Sequence, residues 1–132
     1  MRTREEPLPA AVGKSEKRQL GRTPAAETPL ELRSRGIPLD NGFEAYVRDR
    51  AGRKLGKLAY YIERVRVRFD DVNGPKHGVD IACQVHVVLS GLPPIVLEER
   101  ADDARVAFDL AIDTAERALE RELKRFESTE PD

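Results

Sequence analysis

Ile62-Glu63-Arg64-Val65-Arg66-Val67-Arg68-Phe69 alternates apolar and basic side chains. Strand side chains point to opposite faces with period two, so Val65, Val67 and Phe69 share one face while Arg64, Arg66 and Arg68 share the other. The apolar face belongs in a core. The basic face is a row of guanidiniums about 6.6 Å apart, and permanently charged planar forks in such a row suit phosphate oxygens. The same pattern also describes an ordinary strand with its polar side in water.

Downstream, Asp70-Asp71-Val72-Asn73-Gly74-Pro75 is dense in turn formers and includes an Asn-Gly pair, so a hairpin is expected. Val79, Ile81, Cys83, Val85, Val87 and Leu89 then alternate as a long third strand closed by Gly91 and Pro93-Pro94. Ile95 to Arg100 make a shorter fourth strand. Upstream, Leu30 and Leu32 oppose Glu31, Arg33 and Arg35 in a first strand that Gly36 and Pro38 end.

Between the first two strands, Asp40 or Asn41 can cap a helix over residues 41–60. Its apolar positions Phe43, Val47, Ala51, Leu55, Leu58 and Ile62 recur at steps of three and four. Gly52 and Gly56 weaken that helix by about 1 kcal/mol each, and Lys54 falls inside its apolar stripe. After the fourth strand, Asp102 and Asp103 are placed to cap a second helix running to about residue 126. That helix carries Ala104, Ala107, Phe108, Ala111, Ile112, Ala115, Leu119 and Phe126 on one face. The order predicts an α+β fold, β-α-β-β-β-α, with both helices packed on one face of a four-stranded sheet.

Residues 1–29 lack apolar periodicity and are rich in Pro, Ala, Thr and Glu, which predicts a disordered N-terminal tail. The domain is expected over 30–127, with 128–132 a disordered C-terminus. Of 132 residues, 39% are hydrophobic and 36% charged, enough for one core under a heavily charged surface. The net charge of −1 argues against nucleic-acid binding driven by overall charge, but its distribution is uneven. Residues 1–29 carry +2, residues 30–76 carry +4 and residues 77–132 carry −7.

Cys83 is the only cysteine, which excludes an internal disulfide and a cysteine-rich zinc site, and its apolar neighbours suit a small buried hydrophobe. No apolar run is long enough to span a bilayer and no secretory signal follows the N-terminal arginines, so a cytoplasmic protein is expected. Catalytic parts are scarce. His77 falls in a predicted loop and His86 on the polar parity of a strand, and the acid pairs Asp70-Asp71, Glu98-Glu99 and Asp102-Asp103 lie at turn, strand-end and cap positions. With no nucleophile motif, phosphate-cradling glycine loop or histidine ligand pair, the expectation is no enzyme, no catalytic or metal residue, no cofactor and no small-molecule substrate.

The basic side chains are better organised. Residues 48–68 hold eight basic and two acidic groups. Arg50, Arg53 and Lys57 form a ridge on the first helix beside Lys54, and Arg33 and Arg35 of the first strand can join Arg64, Arg66 and Arg68 on the polar sheet face. Arg117, Arg121, Lys124 and Arg125 make a further ridge on the second helix, where Asp113 with Arg117 and Glu120 with Lys124 also read as i, i+4 pairs. These thirteen residues are the RNA-binding candidates, converging on one contiguous patch. With no tryptophan and few aromatics outside the core, phosphate and shape recognition of folded RNA is expected rather than base stacking.

The chain resembles the ribosome hibernation-promoting factor family, also called ribosome-associated inhibitor or sigma-54 modulation proteins. The resemblance lies in Ala45-Tyr46-Val47, the run Val65-Arg66-Val67-Arg68-Phe69-Asp70-Asp71-Val72-Asn73-Gly74-Pro75-Lys76, the Gly78-Val79-Asp80 to Cys83 stretch, and Ala107-Phe108-Asp109 leading into Ala115-Glu116-Arg117-Ala118-Leu119. It implies a short form of the family, a stress protein that docks on ribosomal RNA of the small subunit and sterically blocks the messenger and transfer RNA channel. It also implies RNA contacts from both helices and the neighbouring sheet, at Lys54, Lys57, Arg66, Arg68, Arg117, Arg121, Lys124 and Arg125. The chain departs from the family pattern in having Ile81-Ala82 where relatives tend to be basic, and Arg105 where tyrosine is common. The competing reading is a protein-interaction module that pairs its basic sheet face or edge strand with an acidic partner.

Overall fold

A computed structural model describes residues 28–72 and 80–129, the last four by their backbone alone. The expected tail up to residue 27, the Asn73-Gly74 turn and His77 lie outside the described residues. The elements are β1 (Leu30–Arg35), α1 (Asn41–Leu55), a 3-10 segment (Gly56–Tyr61), β2 (Ile62–Asp71), β3 (Ile81–Leu89), β4 (Ile95–Ala101) and α2 (Ala104–Thr129). This is the expected β-α-β-β-β-α order.

The sheet runs β1-β2-β3-β4. β1 lies parallel to β2 because α1 carries the chain back across the sheet between them, whereas β2-β3 and β3-β4 are antiparallel. Thr28 and Pro29, which composition placed in the tail, are buried, and the Val65 N–H donates to the Pro29 carbonyl at 3.0 Å. β1 stops at Gly36, whose φ of +80° disfavours any L side chain and whose missing Cβ would lie 3.2 Å from Asp71 Cβ.

Period two sorts β2 as its sequence requires: Val65, Val67 and Phe69 are fully buried. Ile62 is buried as well, three residues before Val65, and a register shift between Ile62 and Arg64 absorbs the extra residue Glu63. Val47, Ala51 and Leu55 of α1 and Ala107, Phe108, Ala111, Ile112, Ala115 and Leu119 of α2 close the core from the same side. The alanines let α2 lie close to β3 and β4. Phe69 sits at the centre, its ring 5.3 Å from Phe43 and 6.4 Å from Phe108.

The first helix is shorter than its periodicity predicts. Asp40 caps it by accepting from the Phe43 N–H at 2.7 Å, but regular α-helix ends at Leu55 and Gly56–Tyr61 tighten into the 3-10 turn. Glycines at 52 and 56 lower the helical preference just where the chain must turn into β2. Shortening Phe69 to Ala should therefore cost about 3–5 kcal/mol of unfolding free energy, a large share of the stability of such a domain. Chemical denaturation of the variant should show the midpoint moving with little change in slope.

Candidate nucleic-acid interface

Because both helices cover one side, the other side of the sheet is open, and the strand register assembles its side chains into rows. Glu31, Arg66, His86 and Val96 form one row; Arg33, Arg68, Gln84 and Glu98 the next; Arg35, Asp70, Ala82 and Arg100 a third. Arg64 lies opposite Val88. Five arginines thus gather on β1 and β2, supplied by two segments about thirty residues apart in the chain.

Two carboxylates hold four of those arginines. Glu31 accepts from Arg66 Nε at 3.0 Å and from Arg33 Nη2 at 3.2 Å. Asp70 contacts Arg68 Nε at 3.1 Å and Arg35 Nε at 3.5 Å. These contacts engage one nitrogen of each guanidinium and leave the rest of each fork for another acceptor. Among the described residues Arg64 has no ion-pair partner, and its Nε makes no hydrogen bond. With five cations against two anions, this half of the face stays positive.

Among the described residues His86 pairs with no carboxylate; its row neighbours are Arg66 and Val96. Burial, then the charges of Arg66 and Arg64, hold its pKa below the usual value, so it is neutral at pH 7 and adds no charge to the face. Burial also pushes the Cys83 thiol far up, which makes it an inert core residue. Among the described residues, no cluster of His, Cys, Asp or Glu is placed to hold a metal ion. No described helix is long and apolar enough to cross a membrane.

On the helix side the structure revises the sequence reading. A basic ridge running from α1 into the 3-10 segment is stitched to an acidic ridge of α2: Arg50 Nε lies 3.0 Å from Asp109, Lys54 Nζ 2.8 Å from Asp113, and Lys57 Nζ 3.1 Å from Glu116 and 2.8 Å from Glu120. Tyr46 donates to the same Asp109 at 2.6 Å, and Arg105 stacks over the Tyr46 ring at 4.1 Å. Hydrogen bonds to Glu120 and Glu116 raise the Lys57 pKa, so its charge is fixed in place. Arg53 turns away to Asp49 within α1.

The i, i+4 pairs expected inside α2 do not form, because α1 lies close enough to claim Asp113 and Glu120. Among the described residues Arg117, Arg121 and Lys124 have no carboxylate partner, Arg117 making one long contact to Thr114, while Arg125 pairs with Glu122. The thirteen candidates do not converge on one contiguous patch. Apart from Arg53, which pairs within α1, they divide into the arginine face, the interhelix seam and the far end of α2, and the sheet itself separates the first from the other two.

Sequence reasoning gave Glu31 no partner, read Asp70 as a turn residue and Asp113 and Glu120 as partners within α2, and assigned Asp109 and Glu116 no contact, whereas Glu31 and Asp70 orient the arginines and the other four occupy the seam. Their signal was present in their strand parity and in the three- and four-residue steps along α2. What was lacking was the partner element. The contacts of Glu31 hold its carboxyl below the ordinary 4.5, chiefly through its bonds to Arg66 and Arg33. A depressed folded-state pKa adds stability that is fully present above the unfolded value and is lost as pH falls through the folded one. The stability difference between the native protein and Glu31→Gln should therefore be steady above the ordinary carboxylate range and shrink as pH is taken progressively below 4.5, when denaturation is followed across that range.

The model of the Sigma 54 modulation protein / S30EA ribosomal protein family matches residues 30–127. Among curated proteins none matches the chain. Two solved structures share the fold. The Thermus thermophilus Protein Y N-terminal domain is 21% identical with a TM-score of 0.53, and a ribosomal subunit interface protein from Coxiella burnetii is 16% identical with a TM-score of 0.57. Each alignment covers 72% of this chain and 97% of the other. With the family model spanning every strand and nearly all of the second helix, the chain belongs to the sigma 54 modulation and S30EA ribosomal protein family.

Proposed function

We propose that this protein is a non-enzymatic ribosome-associated factor that binds small-subunit ribosomal RNA through phosphate contacts and blocks the messenger and transfer RNA channel by occupying it. The observation that carries this reading is the placement of its available cations on opposite sides of one thin domain. Arg33, Arg35, Arg64, Arg66 and Arg68 lie on the open sheet face, and Arg117, Arg121 and Lys124 on the far end of α2. A body that is basic on two opposed sides suits a groove with anionic walls better than a flat anionic surface.

Family membership supports the same setting, as do the fold neighbours, one of which is described as a ribosomal subunit interface protein. The domain holds itself together through its own core and seam, so it can act as a rigid plug. Phosphate contacts confer affinity and position without reading sequence, which is sufficient for steric occupancy. Under this reading the site residues are those of the two exposed groups, and Arg50, Arg53, Lys54 and Lys57 serve the internal seam or their own helix.

If six of these eight cations meet phosphates, the log-log salt slope of small-subunit binding should be about −5, a loss of about a thousandfold between 50 and 200 mM salt. Arg64→Glu, Arg66→Glu and Arg68→Glu combined should abolish co-sedimentation with small subunits, while the chain still unfolds in one cooperative transition at a temperature lowered by the loss of the Glu31 and Asp70 pairs. Salt-insensitive association, or full retention by the triple variant, would contradict the reading. Nuclease treatment should release the protein; retention on a protein partner would favour an acidic protein target instead.

A further inference from the structure

One corner of the arginine face is shaped as well as charged. Arg33, Ser34, Arg35 and Arg68 line a hollow of about 300 Å³ at the end of β1. Arg33 and Arg68 are direct register partners on neighbouring strands, an arrangement in which like charges repel unless an anion is near. Their carboxylates stand to either side: Glu31 holds Arg33, and Asp70 holds both Arg68 and Arg35. Asp70 Oδ1 forms no aligned hydrogen bond, so it holds Arg35 by charge alone at 3.5 Å.

The backbone fixes this corner. Ser34 Oγ donates to the Ile37 carbonyl across the turn that Gly36 makes at positive φ. Ser34 stands on the other parity of β1, so the side chains that wall the hollow are those of Arg33, Arg35 and Arg68. Arg35 and Arg68 are engaged through Nε, so both terminal nitrogens of each remain to grip a tetrahedral oxyanion in the two-pronged way that guanidinium allows and ammonium does not.

We propose that this corner is a discrete phosphoryl-anion site, able to bind a terminal phosphate or a short polyphosphate without any ribosome. The proposal rests on reading the arginine face as phosphate-binding, but it can fail by itself. The ligand chemistry is a phosphoryl oxyanion carrying two or more exposed oxygens. It can be presented by a free phosphorylated small molecule or by the backbone of RNA.

Calorimetric titration of the full chain with tripolyphosphate, and separately with an RNA oligonucleotide bearing a 5′-hydroxyl, tests this at about 50 mM salt, where phosphate contacts are strong. Tripolyphosphate should bind at one site per chain. Its affinity should fall by about tenfold or more in Arg33→Ala/Arg35→Ala, and comparably in Arg68→Lys, which keeps the charge and loses the fork. Both Arg33 and Arg35 are mostly exposed, at 67% and 76%, so their removal spares the fold.

The double variant Arg117→Ala/Arg121→Ala should bind tripolyphosphate as the native chain does. Tighter binding of tripolyphosphate than of the oligonucleotide would assign the site to free phosphorylated ligands, and the reverse order, with the same variant dependence, to the RNA backbone. Flat titrations with both probes, or equal losses in the α2 control, would overturn the site. Small-subunit co-sedimentation that persists alongside flat titrations would remove the site and leave the functional reading intact.

Discussion

The alternation along β2 is the constraint on which everything else depends. Val65, Val67 and Phe69 pack into the core from one side of the strand, and this forces Arg64, Arg66 and Arg68 to the other. A slip of one residue would bury three guanidiniums and expose the central aromatic, an exchange the fold could not survive. The arginine face is thus a direct geometric result of core packing. The parallel pairing with β1 then sets Arg33 beside Arg68 and Glu31 beside Arg66, building a charged surface from two distant segments.

The helix side obeys a different rule. There the cations of α1 meet acids of α2 across a seam, and each ion pair, partly exposed, is worth no more than about 1 kcal/mol. Their larger effect is on charge: the seam neutralises Arg50, Lys54 and Lys57 and takes Asp113 from Arg117 and Glu120 from Lys124. The α1 ridge is thereby removed from the available surface and a short basic ridge is exposed at the end of α2. The acidic balance of the C-terminal half is in large part the counter-charge of α1, spent inside the domain.

This division explains what could be read from the chain and what could not. Strand alternation and helical steps are local, so the element order, the sheet with one covered face, and the core positions of β2, β3 and α2 were legible. The end of α1 at Leu55 was signalled by Gly52 and Gly56 but decided by the turn into β2. The bulge at Glu63 follows from the three-residue spacing of Ile62 and Val65, which becomes meaningful only once both are known to be buried. Charge partners were the least legible. Asp113 stands four residues from Arg117 in sequence, but it lies against Lys54 in space, and only the packing of α1 on α2 decides between them.

The central claim is that the domain meets RNA with two opposed sides while its helix seam stays internal. Arginine-selective chemical modification of the chain, free and bound to small subunits, tests this most directly when read residue by residue by mass spectrometry. Binding should protect Arg33, Arg35, Arg64, Arg66 and Arg68 together with Arg117 and Arg121, and leave Arg50 and Arg53 unchanged. Protection confined to one side of the sheet, or centred on Arg50 and Arg53, would contradict the account.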